Sequence, residues 1–249
     1  MLLPLLAVSV VALAGVTYRL PYYALAPGPA ESVDRFIRVP AGLAFPHHGE
    51  FLVTSVSLRA VTPFVALRAR FDADVDVVPM RELIGVAPTP QARRQFQTDL
   101  RSSMQISQHL AVAVALGRLG LATSEGADPA TAIAVDSRGI DGASAGLALT
   151  LGLLDSLASA ELTGGHRVAV TGTITPSGRV GDVDGVAQKT AAARAAGAEY
   201  LLVPPGGFQV ARAHAGRTLE VLQVASLDDA LAALARIGGE VGVPRRSPS

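Results

Sequence analysis

Apolar and polar positions divide the chain into three regimes. From Leu2 to Val16 no charged residue interrupts an apolar run, and Arg19 is the first cation. A stretch of that length sits near the lower limit for crossing a bilayer. It is long for the apolar part of a secretion signal and has no preceding Lys or Arg, although "ALA" at 24–26 could serve as a cleavage site. Residues 1–20 are therefore expected to form a transmembrane anchor, with a cleaved signal and a buried core helix as the alternatives. The positive-inside rule would leave Arg19 in the cytoplasm.

The second regime, 21–121, is mixed. "PYYALAPGPA" is punctuated by Pro and Gly and reads as an extended entry. "RFIRVP" and "GEFLVTSVSLRAV" are β-branched, partly alternating runs that predict strands. "PFVALRARF" predicts a short helix, and "ADVDVVPM" a strand closed by Pro79. From Pro90 to Leu119, apolar Phe96, Leu100, Met104, Leu110 and Leu116 recur at mostly helical spacing, which predicts one long helix.

"ATSEGADPAT" (122–131) is a loop of turn formers, and beyond it strand and helix patterns alternate. Strands are expected at 131–136, 166–174, 199–203 and 218–223, and helices at 144–158, 185–196, 207–214 and 226–237. The fold class is α+β (mixed α/β). The expected organisation is an anchor (1–20), a β-rich part ending in a long helix (21–121), a catalytic-type domain (122–240) and a polar, disordered tail (241–249).

Composition narrows the chemistry. Net charge is +0 and charged residues make up 17% of the chain, so no basic field points to nucleic acid. With Cys 0 there is no disulfide, thiolate metal site or Cys nucleophile. The five histidines are scattered, none in a metal-binding helical pair, and His47–His48 between Pro46 and Gly49 reads as an exposed turn. No metal and no cofactor are called for.

Two positions stand out. Lys189 is the one lysine among 21 basic residues, all the rest being arginine. Arginine stays protonated, whereas a lysine among apolar neighbours loses its proton more readily and can act as a base. Val186, Ala187, Ala191 and Ala192 surround it in sequence. Ser144 lies in "GIDGASAGLALTLGLLD" at the start of an almost wholly apolar helix, where free backbone N–H groups favour developing negative charge. A serine there is also the ordinary N-cap residue. Strand alternation puts Thr171 with Ala169, opposite Val168 and Val170, so its hydroxyl could hold a neutral amine. Without a cysteine or a suitably placed histidine, Ser–Lys is the economical dyad.

"DGASAG" followed by "VTGTITPSGRVGDVDGVAQKTAAARAAGAEYLLVP" resembles the proteolytic domain of Lon-type serine proteases. The resemblance implies Ser144 as nucleophile, Lys189 as its general base 45 residues later, Thr171 as a lysine-orienting hydroxyl, and Asp141, Gly142 and Ala143 as the active-site turn. Together with "PYYALAPG", "FLVTSVSLRAV" and "MQISQHLAVAVALGRLG", it extends over roughly residues 15–238 and points to the membrane-anchored, ATPase-free Lon-like proteases. That subfamily implies a single-pass protein of the cell membrane with its catalytic part outside the cytoplasm. It also implies polypeptide substrates and ring-forming homo-oligomers. Two features depart from the pattern. Ala143 replaces the usual proline before the serine, and only a short loop stands where the PDZ module of the subfamily would lie. No G-x-x-x-x-G-K-[ST] motif occurs, so no ATP-driven motor is expected in this chain.

The reading that follows is a membrane-anchored, ATP-independent serine endopeptidase acting on unfolded or extended polypeptide. The competing readings are a small-molecule phosphotransferase of the GHMP-kinase type and a catalytically inactive Lon-like scaffold.

Overall fold

A computed structural model describes residues 13, 15–40, 42–87, 89–121, 133–136 and 142–240. Most of the apolar run at 2–16, the loop 122–131, Asp141 and the tail from 241 lie outside the described residues. Among the described residues no helix is long and apolar enough to cross a membrane.

In chain order the elements are β1 (Tyr22–Ser32), β2 (Ile37–Arg38), β3 (Glu50–Ala60), α1 (Pro63–Ala69), β4 (Asp76–Pro79), α2 (Met80–Ile84) and α3 (Pro90–Arg118). There follow β5 (Ala134–Val135), α4 (Gly146–Leu157), β6 (Arg167–Val170), β7 (Thr173–Ile174), β8 (Val180–Gly181), α5 (Val186–Ala195), β9 (Tyr200–Val203), α6 (Phe208–His214), β10 (Glu220–Gln223) and α7 (Leu227–Arg236). The architecture is mixed α+β, as the pattern predicts. Local chemistry sets the helix starts. Thr62 and Thr89 cap α1 and α3 by accepting hydrogen bonds from the N–H groups of Val65 and Ala92, each just ahead of a proline at the first helical position.

Three elements differ from the expectation. "PYYALAPGPA" is not a connector but most of β1, paired on both sides, with a register shift between Pro27 and Ala30 that accommodates the Pro-Gly-Pro stretch. Of "RFIRVP" only Ile37 and Arg38 form a strand, β2, because Arg35 still belongs to a 3-10 turn begun at Val33. The strand expected at 166–174 is broken into β6 and β7 because the backbone of Gly172 bonds elsewhere. Its N–H donates to the Ser144 carbonyl (2.9 Å) and its carbonyl accepts from Leu147 N–H (3.0 Å).

The main sheet has six strands in the order β10-β9-β6-β3-β1-β4. Pairing is parallel from β10 through β3 and antiparallel between β3, β1 and β4. Strands from both sides of the 122–131 loop thus build one sheet, joined where β3 meets β6. Alternation gives the sheet two apolar faces. Phe51, Val53, Val168, Val170 and Leu202 pack with α3, α4 and α7. Leu52, Ala169, Leu201 and Val203 pack on the other face with α5 and α6.

Helix α4 is buried along its whole length, as its apolar sequence requires. At its C-terminal end Asp155, 2% exposed, accepts a hydrogen bond from Leu162 N–H (2.9 Å) and faces His47 Nδ1 at 3.2 Å. His47 Nε2 in turn lies 3.4 Å from Asp34. The exposed-turn expectation therefore fails for His47, whose side chain straps the 42–48 segment to α4, and holds for its neighbour His48, 91% exposed. Burial is the largest influence on the Asp155 carboxyl and lifts it to about 6.

Candidate active site

The site starts at the N-terminal end of α4. Gly142 adopts φ +92°, a left-handed conformation that a side chain disfavours, and leads into a 3-10 turn at Ala143–Ala145. Three neighbours hold the turn. Gly142 N–H donates to the Leu100 carbonyl on α3 (3.0 Å), Ser107 Oγ of the same helix donates to the Ala143 carbonyl (3.0 Å), and Gly172 N–H donates to the Ser144 carbonyl. Gly146 is pressed so closely that an added Cβ would lie 2.7 Å from Ser107 Oγ.

Ser144 is half-buried in this turn. The capping alternative does not describe it. The N-cap positions of the 3-10 turn and of α4 are Gly142 and Ala145, and neither start has a side-chain cap bond. The Ser144 hydroxyl is therefore not used as a cap, while behind it Gly146 N–H donates to the Ala143 carbonyl and Leu147 N–H to the Gly172 carbonyl.

Lys189 sits on α5, which crosses from the β7–β8 hairpin to β9 over the sheet face opposite α4. Its side chain is 5% exposed. Burial lowers its pKa from the ordinary 10.5 to about 8, with the Asp184 carboxylate partly opposing the fall. That depression corresponds to about 3 kcal/mol against the charged form.

Thr171 connects the two halves. It follows β6, donates its backbone N–H to Leu202 on β9 (3.0 Å), and immediately precedes the Gly172 peptide that is bonded to Ser144. Alternation after Val168, Ala169 and Val170 turns it to the α5 face. The Thr171 side chain is 1% exposed, and its Oγ1 has no hydrogen-bond partner among the described residues. A second hydroxyl, Thr54 Oγ1 on β3, shares that condition at 3% exposure. An open groove beside the start of α5 is lined by Asp76, Asp182, Asp184, Gly185, Gly206 and Val210.

Of the residues singled out in the sequence, Gly142, Ala143 and Ser144 form one turn, and Thr171 abuts it through Gly172. Lys189 is buried on the sheet face to which Thr171 turns. Asp141 lies outside the described residues. Sequence reasoning missed Leu100 and Ser107, whose helix merely reads as long and amphipathic. It also missed Thr54, although a hydroxyl directly after Phe51, Leu52 and Val53 in a buried strand is a readable anomaly.

Residues 129–234 match the Lon protease (S16) C-terminal proteolytic domain. The matched span contains Ser144, Thr171 and Lys189 and excludes β1, β3 and β4. No curated protein matches the chain.

Proposed function

Because residues 129–234 belong to the proteolytic-domain family of Lon proteases, which are serine peptidases acting on polypeptides, we propose that the chain is an endopeptidase with a Ser144–Lys189 dyad. The observation that carries this reading is the state of Lys189. It is the single lysine of the chain, it is buried, and its pKa is drawn down to about 8, close enough to neutrality for a general base.

Ser144 Oγ attacks the scissile carbonyl carbon as its proton passes to Lys189 Nζ. The carbonyl π electrons move to oxygen, and the resulting oxyanion faces backbone N–H groups of the turn ahead of α4. Collapse breaks the C–N bond, the Lys189 ammonium returns the proton to the departing amine, and an acyl-serine remains. Water, deprotonated by the same amine, releases the acid and restores Ser144. Thr171 orients Nζ, while Gly142, Ala143 and the adjacent Asp141 frame the turn.

The chain itself carries no G-x-x-x-x-G-K-[ST] motif, which supports cleavage without an ATP-driven motor and hence a preference for unfolded or extended segments. The uncharged run from Leu2 to Val16 supports an N-terminal membrane anchor. A fluorophosphonate probe tests the reaction. Wild type should be labelled on Ser144 and should cleave an unfolded polypeptide without ATP, and Ser144→Ala should do neither. A wild type that remains unlabelled and inactive would leave an inactive scaffold as the function.

A further inference from the structure

Three directions around a lysine amine must be filled for it to serve as a directed base. One belongs to the nucleophile's proton, and two N–H groups need acceptors that hold the lone pair in line. The sheet face under α5 offers two hydroxyl oxygens. On β3 and β6 the register pairs Leu52 with Ala169 and Val53 with Val170, so the next pair is Thr54 beside Thr171. Leu52 and Ala169 belong to the α5 face, and two residues further the side chains point the same way. Both hydroxyl oxygens are buried and have no hydrogen-bond partner among the described residues. An orphaned buried hydroxyl of this kind destabilises the fold unless something bonds it.

Helix and strand spacing place Lys189 over that pair. Gly185, at φ +67°, starts α5 so close to β3 that an added Cβ would lie 2.6 Å from Val56 Cγ2. Lys189 follows four residues later on the same helix face, about 6 Å along the axis. Thr54 lies two residues back from Val56 on the same strand face, about 6.6 Å along β3. Since α5 returns from the C-terminal to the N-terminal ends of the parallel strands, both displacements run in the same direction. The carboxylates nearby differ in what they face. Asp76 on β4 accepts from Gln188, Asp182 accepts from Gly206 N–H, and Asp184 is the carboxylate that acts on Lys189.

We infer that Thr54 is a second positioning residue, its hydroxyl and that of Thr171 forming a two-oxygen cradle that aims Lys189 Nζ at Ser144. This inference rests on the dyad reading and adds to it a residue from β3, outside the matched family span. An oxygen that accepts from Nζ bonds the ammonium more strongly than the amine, so the cradle also holds back the loss of the proton.

The test is Thr54→Val beside Thr54→Ser in the full chain, read by fluorophosphonate labelling of Ser144 and by peptide cleavage across pH. Thr54→Val should lower kcat at least tenfold with KM within twofold, and should move the acid limb of the rate profile to lower pH. It should leave Tm nearly unchanged, because valine keeps the shape of threonine and, among the described residues, the fold draws no hydrogen bond from that hydroxyl outside the cradle. Thr54→Ser should restore most of the rate and the original limb. A Thr54→Val protein with wild-type kcat and profile overturns the inference. So does a rate loss with an unmoved or raised acid limb, or one that Thr54→Ser does not repair. If wild type itself is not labelled on Ser144, the dyad reading falls and the inference with it.

Discussion

The two ends of α4 bury polar groups in opposite ways. At the C-terminal end, Asp155 is tied to Leu162 N–H and faces His47, which reaches on to Asp34. At the N-terminal end, Ser144 is left uncapped, while beneath α5 Lys189 shares its sheet face with two unbonded hydroxyls. Both regions shift a pKa by burial, the Asp155 carboxyl up to about 6 and the Lys189 ammonium down to about 8. The difference lies in what remains open. Asp155 has a hydrogen bond inside the protein, from Leu162 N–H, whereas the Thr54 and Thr171 hydroxyls beneath α5 have none among the described residues.

Breaking the open end should have the largest effect. Lys189→Arg keeps a cation but removes a base that can be neutral, so peptide cleavage should fall by about 10³-fold or more while the fold persists. In wild type, cleavage should rise with pH and level off above about 8, since Lys189 must lose its proton to act. A Lys189→Arg protein that still cleaves would remove the functional half of the comparison.

The stability of the same site comes next. The folded-state pKa of Lys189 lies below its unfolded value, so its charged form destabilises the fold below pH 8, and that penalty disappears as pH rises from about 8 to 10.5. Lys189→Met should therefore be more stable than wild type at pH 7 by up to about 3 kcal/mol. The gap should close toward pH 10.5 in denaturant titrations. Asp155→Ala should do the reverse, losing about 2 kcal/mol by stranding Leu162 N–H, with labelling of Ser144 per folded molecule unchanged. The smallest effect belongs to Thr171→Val, about a tenfold loss of turnover with Tm within a few degrees. An unchanged rate with a clear drop in Tm would make Thr171 a structural residue.

Much of this was legible from period and residue type. The long helix α3, the buried α4 and the alternation after residue 133 follow from the spacing of apolar positions, because those elements bury continuous stripes. Ser144 and Lys189 stand out because one begins an apolar helix and the other is unique in type. β1 is not legible because Pro27, Gly28 and Pro29 imitate a connector, and only pairing with β3 and β4 reveals the strand. The break after Val170 is hidden for a similar reason, since Gly172 bonds a turn far back in the sequence. Nor does pattern alone show that β3 lies beside β6, which is the fact that brings Thr54 to Lys189.

That adjacency also decides which piece of the chain can stand alone. A fragment beginning at residue 122 would carry Ser144, Thr171 and Lys189 yet lose β3, the parallel neighbour of β6. Val168, Ala169 and Val170, buried in the intact molecule, would become a bare sheet edge with unpaired backbone groups, blunted only by Arg167 at its start. Such an edge seeds pairing between chains. The span that matches the family is therefore shorter than the unit whose sheet is complete, and the β-rich half acts as the permanent partner strand of the half that carries Ser144.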